Sequence, residues 1–231
     1  MMARGVPVNY VNIDATFEVL PGVRGRPLSH HQSLREALRA ATRAEHKALE
    51  AQPLMQRLLS PELTLIEYGQ ILRAQRAYYR ALEPALMPLE QQLRERFPEV
   101  GYRYQSRLAS LDQDCRVLQL PDDHDIRTGA SWRPPLDSTE EALGVLYVLE
   151  GASQGGRVIA RALNRSLGLE SSNGADFFHY HVTQDGWTRL CLWLESIPLD
   201  ATWHCALTGA KATFTGLKAH FDHWQRQLSD R

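Results

Sequence analysis

The chain has 231 residues, enough for one large domain with its own core, and its 43% hydrophobic and 23% charged content is that of an ordinary globular protein. A formal net charge of −1 argues against general binding to nucleic acid or to a membrane surface. The cysteines Cys115, Cys191 and Cys205 make no C-x-x-C pair and leave an odd one, the pattern of a reduced, cytoplasmic protein, and no apolar run is long enough for a membrane span. Residues 1–29 lack a basic-then-apolar signal and carry Gly5, Pro7, Pro21, Gly22, Gly25 and Pro27, so they read as an irregular N-terminal arm, with a short strand at most over residues 8–13. The domain is expected over residues 30–231. Ser33 with Glu36 forms a capping box that opens a helix running to Glu50. Along it Leu34, Leu38, Thr42, His46 and Leu49 make one inward stripe.

A second capping box, Thr64 with Glu67, opens a long helix through Tyr68, Ile71, Leu72, Gln75, Tyr78, Tyr79 and Leu82, which Pro84 and Pro88 are expected to kink or end. Tyr102 to Cys115 reads as another helix, followed by a loop rich in Asp, Gly and Pro up to Pro135. Ser138 with Glu141 starts a further helix that ends near Gly168, and a turn follows at Ser171, Ser172, Asn173 and Gly174. Phe177 to Ile197 and Thr202 to Leu228 supply the last two helices. Strand signals are nearly absent, there is no repeat, and the fold class is a single all-α domain.

Two segments carry chemistry. In the first helix His46 occupies a position where a core leucine would be expected, and Glu50 lies one turn on, within reach of the imidazole. A histidine there is either a hydrogen-bonded core residue or a metal ligand whose tautomer the carboxylate fixes. Arg39, two turns before His46 on nearly the same side, could hold an acidic group of a ligand centred on the histidine. The second segment is Gly151, Gly155 and Gly156 inside a helix, at a cost of roughly 2–3 kcal/mol in helix propensity. Either a neighbouring helix packs closely there or the backbone lies against something flat and bulky.

Together these segments resemble the heme oxygenase family. Its proximal-helix pattern L-x-x-A-T-x-x-x-H-x-x-x-E is present as Leu38 through Glu50, and its distal G-x-x-x-G-G as Gly151, Gly155 and Gly156. The lead-in from Leu146 to Gly151 is more similar to bacterial members than to animal ones. The resemblance implies heme, as substrate and cofactor, between a proximal and a kinked distal helix, with His46 as axial ligand to iron. It implies oxidative cleavage at a meso carbon to biliverdin, carbon monoxide and iron, using dioxygen and electrons from a donor such as ferredoxin or a flavin reductase. A bacteriophytochrome that receives biliverdin is the partner suggested by the phytochrome-associated members.

By the same resemblance Gly151, Gly155 and Gly156 form the catalytic wall, and Arg39, Arg161 and Arg189 are candidates for the heme propionates. Glu50 supports the ligand, Tyr147 lines the pocket, and Phe178, with Phe177, matches an aromatic pair near the distal side. Animal members carry an aspartate directly after the first distal glycine; here that position is Ala152, followed by Ser153 and Gln154, as in bacterial relatives. His179 and His181 flank Tyr180 at the spacing of a metal pair, but at the start of a helix they read better as surface residues. A heme-sequestering protein without turnover is the alternative. A thiamin-related hydrolase on the same scaffold would need an acidic or cysteine-centred pocket, and none stands out.

Overall fold

The helices opened by Ser33, Thr64 and Ser138 start where the sequence supplies an acceptor for their orphan N–H groups. Ser33 Oγ accepts the Glu36 N–H at 3.3 Å and the Glu36 carboxylate accepts the Ser33 N–H at 3.1 Å, which opens α1 (Leu34–Ala41). The same start is pinned from outside: Leu34 N–H donates to the Ile197 carbonyl at 2.8 Å, and Leu199 N–H to that of Gln32 at 3.0 Å. The structure, a computed structural model, describes residues 32–121, 136–180 and 185–229. The arm over residues 1–29, with its short strand, most of the loop before Pro135, and His181 lie outside the described residues.

The expected single helix to Glu50 is two. The chain leaves helical geometry at Thr42 (φ −102°, ψ 2°), whose buried hydroxyl donates to the Leu38 carbonyl at 2.8 Å, and resumes as α2 (Arg43–Glu50). A side chain that bonds back onto the preceding turn competes with the helix ladder, and here it marks the joint. α3 (Pro53–Arg57) is capped by Gln52, which accepts the Leu54 and Met55 N–H groups.

α4 (Leu65–Arg96) starts at the Thr64–Glu67 capping box and runs through both prolines for 32 residues, about 48 Å at 1.5 Å per residue. Pro84 and Pro88 are one turn apart on the exposed face, so the carbonyls of Arg80 and Pro84 that lose a donor face water. The opposite face keeps Leu82, Leu86 and Leu93 in the core. The helix expected from Tyr102 begins only at α5 (Leu108–Val117). The six residues before it are not helical because α4 carboxylates take their amides: Glu90 accepts the Tyr104 N–H at 3.0 Å and Glu83 the Arg107 N–H at 2.7 Å.

α6 (Thr139–Leu167) starts at Ser138, which accepts the Glu141 N–H, and stops at Gly168 in the left-handed region (φ 66°), a C-cap conformation that glycine adopts without strain. It is continuous through the glycine cluster. The helix expected from Phe177 to Ile197 is likewise two, α7 (Asp176–Tyr180) and α8 (Gly186–Ser196). α9 (His204–Ser229) follows a short 3-10 turn at residues 201–203.

α9 lies along α6 in the most extensive packing of the domain, and α6 also meets α4, α7 and α8. The closeness is set by two glycines outside the cluster. A methyl on Gly144 would lie 1.9 Å from the Ala206 carbonyl oxygen, and one on Gly209 2.5 Å from that of Glu141. α1 and α2 both pack on α9, so the two chemistry-bearing segments share one support.

Candidate active site

His46 stands on α2 at the edge of the core. Its neighbours Leu34, Leu38, Thr42 and Leu49 on the stripe are buried, whereas the His46 side chain is 39% exposed. Phe214 of α9 meets it edge-on with ring centroids 5.5 Å apart. Nδ1 faces Glu50, whose Oε2 is 3.6 Å away, an electrostatic contact longer than a hydrogen bond. Nε2 is the nitrogen left for a ligand.

On α6 the residues Tyr147, Gly151 and Gly155 follow at four-residue steps and make one stripe. Burial pushes the Tyr147 phenol up, opposed by a hydrogen bond shared with the Thr42 side chain and by the charges of Arg35 and Arg39. Thr42, at the α1–α2 joint, and Arg39 are thus among the groups that the Tyr147 phenol faces.

The three glycines separate into different roles. A methyl on Gly156 would lie 3.2 Å from the Phe178 carbonyl oxygen, so this position is packed beneath α7. One on Gly151 would touch the Trp187 ring at 3.5 Å, an ordinary contact. At Gly155 nothing among the described residues lies within 4 Å. Close packing therefore explains Gly156 and leaves Gly155 unexplained by any described neighbour.

The remaining sequence candidates scatter. Phe177 and Phe178 are buried in α7, against Tyr79 and Tyr68. α7 is held by Asp114, whose buried carboxylate accepts the Asp176 and Phe177 N–H groups at 2.8 and 2.9 Å. Desolvation pushes that carboxyl up to about 6, against the lowering effect of these two bonds. Arg161 is exposed on α6. Arg189 donates to Asp185 at 2.6 Å and its guanidinium reaches toward Gly101, so the structure does not bring it to the Tyr147 stripe. His179 is engaged with its own helix, its Nδ1 2.9 Å from the Ala175 carbonyl, and the described residues contain no group of three metal-ligating side chains. Ser153 is buried and donates to the Glu150 carbonyl at 2.6 Å, which leaves its hydroxyl occupied within α6.

Sequence reading missed Trp187, which lies against Gly151 and whose ring centroid is 5.6 Å from that of Tyr147. It also missed Phe214 and the joint function of Thr42. Each lies far along the chain from the residue it touches, or acts through a backbone bond, so no local spacing announces it.

A family model described as heme oxygenase matches residues 32–222. A heme oxygenase from Xanthomonas campestris pv. campestris is 39% identical over 127 residues, covering 52% of this chain and 68% of its own length. Among solved structures, heme oxygenase from Leptospira interrogans is similar with a TM-score of 0.64 and 21% identity over 83% of this chain and 100% of its own. The heme complex of heme oxygenase-1 from Synechocystis superposes with a TM-score of 0.61 at 17% identity, covering 86% of this chain and 95% of its own. The NO- and CO-bound enzyme from Neisseria meningitidis gives 0.62 at 20%, over 83% and 92%. The three structures share the all-helical architecture described above. With the family model spanning the domain from the first helix into the last, this chain belongs to the heme oxygenase family.

Proposed function

We infer that this protein is a heme oxygenase that opens heme at a meso carbon to biliverdin, carbon monoxide and iron, drawing on dioxygen and an external electron donor. The observation that carries the reading is Gly155. A helix that gives up roughly 1 kcal/mol of propensity there, with nothing among the described residues within 4 Å to require it, offers its bare backbone to a ligand face. The residues fit a flat, largely apolar ligand with acidic edges: a half-exposed imidazole backed by a carboxylate, a bare helix face, and an exposed arginine beside that face. When bound, heme supplies the iron at which dioxygen is activated and the ring that is cleaved.

His46 would hold the heme iron through Nε2, and Glu50, facing Nδ1, would raise the basicity of the imidazole and favour that tautomer. Arg39 would pair with one acidic edge group of heme and so orient it, and Arg161 is the candidate for the second. Arg189, paired with Asp185, is left out of this assignment. The backbone over Gly151, Gly155 and Gly156 forms the opposite wall, with Tyr147 and Trp187 at its edge and Phe178 fixing the height of Gly156. Ala152 offers no acid and the Ser153 hydroxyl is engaged, so protons reach the site through water.

Cys115, Cys191 and Cys205 form no disulfide, which supports a cytoplasmic setting, and no helix among the described residues is long and apolar enough to cross a membrane. A ferredoxin or flavin reductase as donor, and a bacteriophytochrome as recipient of biliverdin, complete the reading. The test is hemin titration of the purified chain followed by reduction with ascorbate or a ferredoxin system. A Soret band and then biliverdin on chromatography are expected. A stable hemin complex that never yields biliverdin would make the protein a heme sequestrant, and no complex at all would overturn the reading.

A further inference from the structure

A buried ion pair lies directly behind the glycine face. Arg107 Nη2 and Glu150 Oε2 are 3.0 Å apart, with side chains 2% and 6% exposed. Tyr102 donates its hydroxyl to Glu150 Oε1 at 3.0 Å, and a methyl on Gly186 would lie 3.0 Å from Oε2. Arg107 is itself held: its N–H donates to Glu83 of α4 at 2.7 Å and its guanidinium lies 5.1 Å from the centre of the Tyr104 ring. One carboxylate thus joins α6, the stretch before α5 and the first turn of α8. Stability alone is a poor reason for this arrangement, because apolar residues of similar volume commonly do as well as a buried pair. What a charged pair adds is direction, since it accepts one register and opposes a shifted one.

The register it holds belongs to the ligand face. Glu150 immediately precedes Gly151, and Gly186 immediately precedes Trp187, whose ring lies 3.5 Å from a methyl placed on Gly151. We propose that Glu150, clamped by Arg107, is a positioning residue that sets Gly151 and the Trp187 ring together and thereby the shape of the distal wall. It touches neither ligand nor reacting atoms. The proposal deepens the heme oxygenase reading and rests on it for its consequence in turnover.

The test separates positioning from stability. Glu150→Gln leaves Arg107 without its counter-charge and risks a poorly folded chain, so the deciding variant is the double replacement Arg107→Met with Glu150→Leu, which removes both charges and keeps volume. Hydrogen exchange of the heme-free protein is measured beside its melting temperature. The expected result is a melting temperature close to the parent's, with exchange at least about tenfold faster confined to residues 147–156 and 186–190. In the hemin complex the midpoint of the ferric acid–alkaline transition should move by half a pH unit or more, since wall geometry governs the ligand opposite His46. Exchange and midpoint both at parental values in a folded double variant would overturn the proposal. Should the double variant not fold, Tyr102→Phe removes one bond to the same carboxylate; parental exchange and midpoint there would overturn it equally. A parent that binds no hemin would refute the functional reading instead, and exchange would still decide whether Glu150 sets Gly151 and Trp187.

Discussion

His46 and Gly155 are useful for the same reason: protein atoms leave them incompletely covered. His46→Ala is expected to abolish the Soret band of the low-spin or aquo complex, and an unchanged spectrum would remove His46 as ligand. Glu50→Gln should retain hemin but shift the iron–histidine stretch in resonance Raman, because the amide withdraws negative charge from a position 3.6 Å from Nδ1. Gly155→Leu separates ligand face from packing more sharply. With nothing among the described residues within 4 Å, leucine should stabilise the heme-free fold by about 0.5–1 kcal/mol in denaturant titration while biliverdin yield collapses. A destabilised variant with normal yield would return the glycine to packing. His46, Glu50 and the glycine spacing were all legible in the sequence, because a histidine on an apolar stripe and glycine inside a helix are local anomalies. That Gly156 packs under the Phe178 carbonyl and Gly155 does not was illegible, since the difference lies in a neighbour more than twenty residues away.

Helices packed this closely leave little room for error, and the α6–α9 crossing has the least. Gly144→Ala places a methyl 1.9 Å from the Ala206 carbonyl oxygen, which forces the helices apart. A loss of about 1–3 kcal/mol is expected by denaturant titration, as for other overpacked sites. A neutral Gly144→Ala would mean that the crossing is looser than described. The starts of α1, α4 and α6 were legible, because a capping residue three positions before its partner is a local signal, and so was the end of α6 at Gly168. The breaks were not. α1 divides from α2 through the Thr42 hydroxyl, and residues 102–107 stay out of α5 because Glu83 and Glu90 on α4 accept amides from this stretch. Both are competitions for hydrogen bonds that only the folded neighbours decide.

For the whole molecule, two carboxyls give pH dependence of opposite sign. Glu67 is held down to about 2 chiefly by the hydrogen bonds from Arg57, so its contribution is present above the ordinary carboxylate value and is lost as pH falls toward 2. Asp114 is pushed up to about 6 by burial, so its contribution is full below the unfolded value and is lost as pH rises through 6. Keeping this buried carboxyl ionised at neutral pH therefore costs the fold on the order of 3 kcal/mol. Denaturant titrations of the parent and Asp114→Asn between pH 4 and 7.5 should therefore converge or cross, the parent losing ground as pH rises. Parallel curves would show that Asp114 ionises freely. Glu67→Gln should flatten the acid limb below pH 4.5 instead, with little change near neutrality.

The sequence by itself determined the all-α class, the capped starts of α1, α4 and α6, the family resemblance, and the histidine and glycines of the proposed site. These are properties of periodicity and local spacing, which a single chain displays without folding. Only the tertiary structure decided which glycine is bare and which is packed, that Trp187 lies against Gly151, that Arg189 is held by Asp185, and that Arg107 reaches Glu150 across 43 positions of chain. Those outcomes depend on what distant segments bring to the same place, and burial, packing distance and charge pairing have no one-dimensional signal.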